Sequence, residues 1–102
     1  MKKENNNHPG KILKKKFLVP AGISGYKLAT DIKIPQTRIS EIIKGNRRIT
    51  VDTALRLSVY FGNSPKYWLN MQDEFDLEKE SKKIRPVLKS IRPVSRKSGK
   101  KK

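Results

Sequence analysis

The stretch 36–48, QTRISEIIKGNRR, carries the side chains of this chain best placed to do chemistry on a partner. On a helix, Gln36, Thr37, Ser40 and Glu41 fall opposite Ile39 and Ile42, so an apolar side can seat the helix while a polar side faces outward. Their lengths and donor–acceptor patterns suit base edges in a DNA major groove. Gln36 can bond N6 and N7 of adenine, Thr37 can meet the thymine methyl, and Glu41 can accept from N4 of cytosine. Arg38, Lys44, Asn46, Arg47 and Arg48 flank this set and suit phosphate oxygens. Other chemistries have far less to work with. The absence of cysteine excludes disulfides, thiolate catalysis and cysteine-bound metals. The single histidine, His8, excludes a multi-histidine metal site and leaves little for general-base catalysis. Asp31, Glu41 and Asp52 have no nucleophile to activate. No catalytic residue, metal or cofactor is therefore predicted, and His8, standing before a helix-opening Pro9, reads as a cap or packing residue.

Positioning that polar face requires a small helical scaffold. Ile12, Leu13, Phe17 and Leu18 recur at helical spacing between Pro9 and the stop Pro20-Ala21-Gly22. Ser24 is a candidate N-cap for a second helix carrying Tyr26, Leu28, Ala29 and Ile32. Pro35 disfavours a helical Ile34 and so breaks the chain before a third helix, about Gln36 to Lys44, closed by Gly45. Thr50 can cap a fourth helix ending at Gly62, and Ser64-Pro65 starts a fifth. Two short helices three or four residues apart match helix-turn-helix spacing. Leu28, Ala29, Ile34, Ile39 and Ile42 are its expected core, with Ala29 small because two steeply crossed helices meet there. Lys33 stands where such turns usually carry a left-handed Gly, at a cost of about 1 kcal/mol. Trp68, Met71 and Phe75 form one stripe of the fifth helix, read as core or interface and assigned here to a dimer surface.

The chain of 102 residues has 25 Lys plus Arg against 9 Asp plus Glu, a formal charge of +16. This favours a polyanionic partner, nucleic acid before an anionic membrane surface. The charge is unevenly spread: +10 over residues 1–72, −4 over 73–80 and +10 over 81–102. The last stretch combines like charges with Ser, Pro and Gly, which predicts a disordered basic tail that adds non-specific DNA affinity. The acidic stretch balances that tail or helps dock a basic partner. The expected organisation is a disordered 1–7, a helix-turn-helix domain over 8–80 and the tail over 81–102. No apolar run is long enough to span a membrane and the N-terminal residues form no apolar signal core, so a cytoplasmic protein is expected.

The run from His8 to about Glu78 resembles the HigA-type antitoxins, Xre/Cro-like helix-turn-helix proteins of which some are called virulence-associated protein I. The likeness rests on His8-Pro9-Gly10, Arg47-Arg48-Ile49-Thr50, Asp52-Thr53-Ala54-Leu55-Arg56-Leu57, and Tyr60-Phe61-Gly62 followed by Trp68-Leu69-Asn70-Met71-Gln72. It implies an all-α, five-helix, phage-repressor-like domain that dimerises on double-stranded operator DNA. It also implies a RelE-like, mRNA-cleaving toxin as partner and repression of the chain's own operon. Lys33 and the residues past 80 depart from the family pattern. A solitary repressor of the same fold and a sequence-independent nucleic-acid binder are the alternatives.

Overall fold

The computed structural model describes residues 8–94. Its first helix, α1, runs through three stretches: Pro9–Ile12, a π-wound Leu13–Leu18 and Val19–Ala21. It is followed by α2 (Gly25–Ile32), α3 (Gln36–Lys44), α4 (Val51–Phe61), α5 (Pro65–Lys83) and α6 (Arg85–Ser90). The described residues hold no strand.

The boundaries follow from local chemistry. The side chains of Ser24, Thr50 and Ser64 accept from the backbone N–H three residues on, capping α2, α4 and α5. Gly22, Gly45 and Gly62 close α1, α3 and α4 in the left-handed conformation. Lys33 takes that conformation too, with φ 61°, which is unfavourable for a residue carrying a Cβ. Arg56 offsets the strain from α4: its Nη1 donates to the carbonyls of Ile32 and Lys33 at 2.8 and 3.0 Å, and its Nε to the Asp52 carboxylate. A cation therefore sits on the C-terminal carbonyls of α2, where the helix dipole favours it.

The π-wound stretch of α1 is not visible in apolar spacing. Val19 N–H bonds to the Lys14 carbonyl, five residues back. The widened turn comes directly before Pro20, which has no N–H to continue an α-helical ladder. It leaves Leu13 and Leu18 buried together.

The core gathers Leu13, Leu18, Leu28, Ala29, Ile32, Ile34, Ile39, Ile42, Ile49, Ala54, Leu57 and Trp68. Trp68 is fully buried and its indole N–H donates to Asn63 Oδ1 at 2.9 Å. Its ring sits among Phe17, Phe61 and Tyr67. Phe75 is buried against the edge of the His8 ring, and Met71 is half-buried. The expectation of a dimer surface is thus corrected at Trp68 and Phe75, which the protomer itself buries. An apolar stripe on a helix needs a partner, and here the partner is the protomer's own α1 and α4. The tail expectation changes as well. Residues 81–83 finish α5, helped by Glu78–Lys82 pairing one turn apart at 3.7 Å, and residues 85–90 form α6. Charge composition misses helix that propagates from an existing end. Pro86 cannot donate a helical hydrogen bond, and the chain breaks from helical geometry at Ile84 between the two helices. Residues 1–7 and 95–102 lie outside the described residues.

Candidate nucleic-acid interface

Helix α3 is seated by Ile39 and Ile42, exposed by 1% and 0%, with Leu28, Ala29 and Ile34 buried beneath it. Its opposite side carries Gln36, Thr37 and Lys44 exposed and Ser40 and Glu41 half-exposed, while Arg38, half-exposed, flanks the buried side beside Ile42. The polar residues singled out by spacing therefore share one accessible face.

What holds this helix at its far end begins with His8-Pro9-Gly10. His8 is buried, and its Nδ1 accepts from Gly10 N–H at 2.9 Å, capping α1. The same ring lies against Gly45, where α3 ends. Gly10 is pressed on α3 so closely that a Cβ there would stand 1.7 Å from the Ile42 carbonyl oxygen. Only a residue without a side chain permits that approach. Burial lowers the His8 pKa below its ordinary value, partly offset by the nearby Asp76 carboxylate and reinforced by Lys11 and Lys79. A neutral ring is what the cap requires, because a protonated Nδ1 cannot accept.

The close seat of α1 on α3 has an electrostatic result. Lys11, Lys14 and Lys15 line one groove with Ile43 and Lys44. Lys14 also borders a second groove, which runs along Gln36 and Ser40 to the start of α2. A row of cations thus edges the polar face of α3, as a phosphate backbone would need.

The loop after α3 is more constrained than its basic sequence suggests. Asn46 N–H closes α3 on the Glu41 carbonyl at 2.9 Å, and its side chain is free at the surface. Arg47 Nε meets Glu41 Oε1 at 2.8 Å, which joins one expected phosphate contact to one expected base-reading residue. Arg48 donates through Nε and Nη2 to Asp76 Oδ2 at 3.2 and 2.6 Å. Asp76 Oδ1 accepts from Gln72 Nε2 at 3.0 Å, and Gln72 Oε1 accepts from Ile49 N–H at 2.7 Å. Gln72 is 1% exposed, so this relay fixes the loop to α5 from within. Spacing and residue type do not single out Gln72 and Asp76. The acidic run around residue 76 reads as a balance for the tail, and its one-sided charge is the only signal of another use.

Among the described residues no group of acidic and histidine side chains gathers to hold a metal ion, and no helix is long and apolar enough to cross a membrane.

Comparison with known proteins places this geometry. The family described as Helix-turn-helix matches residues 13–68. Virulence-associated protein I of Dichelobacter nodosus is 48% identical over 71 residues, covering 70% of this chain and 66%, just under two thirds, of that protein. Antitoxin HigA-1 of Vibrio cholerae is 32% identical over 94 residues, covering 85% of this chain and 89% of the relative. A solved structure of Pseudomonas aeruginosa antitoxin HigA with the higBA promoter superposes with a TM-score of 0.83 at 32% identity, covering 86% of this chain and 97% of that one.

Proposed function

This chain belongs to the helix-turn-helix family, within its HigA-type antitoxins, and from that premise we propose that it is a homodimeric operator-binding antitoxin that neutralises a RelE-like toxin and represses its own operon. Such proteins bind DNA and are not enzymes. The observation that carries the reading is the accessible polar face of α3, seated on a fully buried isoleucine pair and edged by lysines. Gln36, Thr37, Ser40 and Glu41 are assigned to base edges. Arg38, Lys44, Asn46, Arg47 and Arg48 are assigned to phosphates, the last two after leaving their carboxylate partners. One such helix reads only a few base pairs, so two copies on half-sites about 34 Å apart are needed for an operator.

Replacing Gln36 and Thr37 by alanine tests the base-reading assignment. Operator affinity falls by about 1–3 kcal/mol for each well-formed base pairing that the substitution removes, while affinity for unrelated DNA holds. An equal fall on both DNAs rejects it. The toxin arm is tested by co-expression: the chain alone leaves growth normal and restores growth arrested by its partner toxin. A chain that represses its promoter yet rescues no toxin is a solitary repressor.

A further inference from the structure

Helix α4 exposes a line of aliphatic side chains that the protomer leaves uncovered. Val51, Leu55 and Val59 recur every four residues and are 60%, 50% and 84% exposed, while Ala54, Leu57 and Ser58 face the core. The line is about 12 Å long. Beside it, between α4 and the end of α2, lies a hollow of about 350 Å³, walled by Ile32, Lys33, Leu55, Arg56, Val59 and Tyr60. Protrusion and hollow are thus neighbours on one surface. A two-fold contact requires this, since the same patch must serve as knob for its copy and hole for the copy's knob.

Charge selects the occupant. The chain carries +16, and two copies repel unless they meet where charge is locally balanced. On this face each acid has its cation at hand: Asp52 with Arg56 at 3.1 Å, and Asp31 with Lys27 at 3.0 Å, the latter also accepting from the Tyr60 hydroxyl. The exposed aliphatic residues of α5 and α6 lack that balance. Leu77 lies among Asp73, Asp76 and Glu80, of which only Asp76 has a cation, Arg48, at hand. Val87 and Leu88 ride on α6, whose only charged residues are Arg85 and Lys89. A two-fold contact at either would oppose like charges.

We infer that the Val51–Leu55–Val59 face of α4, with the hollow at the α2 end, is the surface on which a second copy of this chain docks. The inference rests on the homodimeric reading above. It also replaces the buried Trp68 with residues that a partner can reach. The face of one eleven-residue helix falls short of the roughly 800 Å² per partner of a standard interface. The contact is therefore a modest one, which binding to paired half-sites reinforces by linkage.

The test is the mass of the full chain by analytical ultracentrifugation across a concentration series. Wild type is compared with Leu55→Asp, Val59→Asp and the control Leu77→Asp. The substituted residues are exposed, so thermal melting by circular dichroism stays at the wild-type midpoint. The expected result is a concentration-dependent dimer of the 11.8 kDa chain whose dissociation constant rises about tenfold or more in both α4 variants and is unchanged in the control. Dimers of unchanged strength in the α4 variants, or weakening only in Leu77→Asp, overturn the placement. So do α4 variants that dimerise normally but lose a co-expressed toxin, which assigns the face to that partner. A wild type that stays monomeric, free and on the DNA of its own promoter, overturns the homodimeric reading itself.

Discussion

Substituting Asp76 by asparagine isolates the hold that α5 has on the basic loop. The two carboxylate oxygens have separate tasks: Oδ1 accepts from Gln72, and Oδ2 accepts both hydrogen bonds from Arg48. Asparagine can keep the first acceptor, so the Gln72–Ile49 anchor survives. In place of the second it presents an amide N–H₂ toward a guanidinium, donor against donor. Arg48 is then released at little cost, because both partners are half-exposed and such pairs are worth about 0–1 kcal/mol. On bound DNA Arg48 neutralises one phosphate in both proteins, worth about 0.9 in the fall of log K with log salt, but wild type must first break the pair with Asp76 and the variant need not. The assay is fluorescence anisotropy on a fixed DNA duplex over a salt series. Asp76→Asn binds more tightly than wild type, by up to about 1 kcal/mol, at an unchanged slope. Arg48→Ala removes that gain when added to Asp76→Asn. An affinity that does not rise, or a gain that survives in the double variant, refutes the idea that the Asp76 pair opposes the transfer of Arg48 to DNA.

Gly10→Ala places a Cβ on the Ile42 carbonyl, and backbone must shift to admit it. A stability loss of about 1–3 kcal/mol is expected. That lowers the melting temperature by roughly 4–8 °C per kcal/mol, and an unshifted melt refutes the close seat of α1 on α3. For His8 the sign follows from its lowered pKa. Below about pH 6.5 the unfolded chain takes up a proton that the native cap excludes, so stability is lost as pH falls. His8→Asn keeps a capping acceptor without the titration. Its melting temperature should fall less than that of wild type between about pH 7 and pH 5, and parallel curves would contradict the buried neutral ring.

The helices are legible because their punctuation is chemical. Ser24, Thr50 and Ser64 cap as their side chains predict, and Gly22, Gly45 and Gly62 stop helices in the one conformation that favours glycine. The strained position at Lys33 is legible too, because turn spacing locates it whatever residue stands there. Features that depend on distant partners are not. Periodicity shows that Trp68 must be covered, not by what, and the cover is Phe17 and Phe61. Counting Arg48 as a free cation misses a carboxylate 28 residues away that folding brings within 2.6 Å. Pro20 reads as a stop, whereas a widened turn accommodates it within α1.

These pairings alter what the charge of +16 means for DNA binding. Salt sensitivity counts cations that move onto phosphates, and Arg47 and Arg48 begin on carboxylates. For Arg48 the exchange trades Asp76 for a phosphate and leaves the reading face of α3 untouched. For Arg47 it does more. Its partner Glu41 is itself assigned to a base edge, and while the 2.8 Å contact persists, one carboxylate oxygen is engaged by the guanidinium. Moving Arg47 to a phosphate frees that oxygen to accept from a cytosine amine, and without that base the freed carboxylate only adds negative charge near the backbone. Backbone contact at Arg47 and base reading at Glu41 are therefore one coupled event. A phosphate contact that carries no sequence information by itself gains it through the residue it releases.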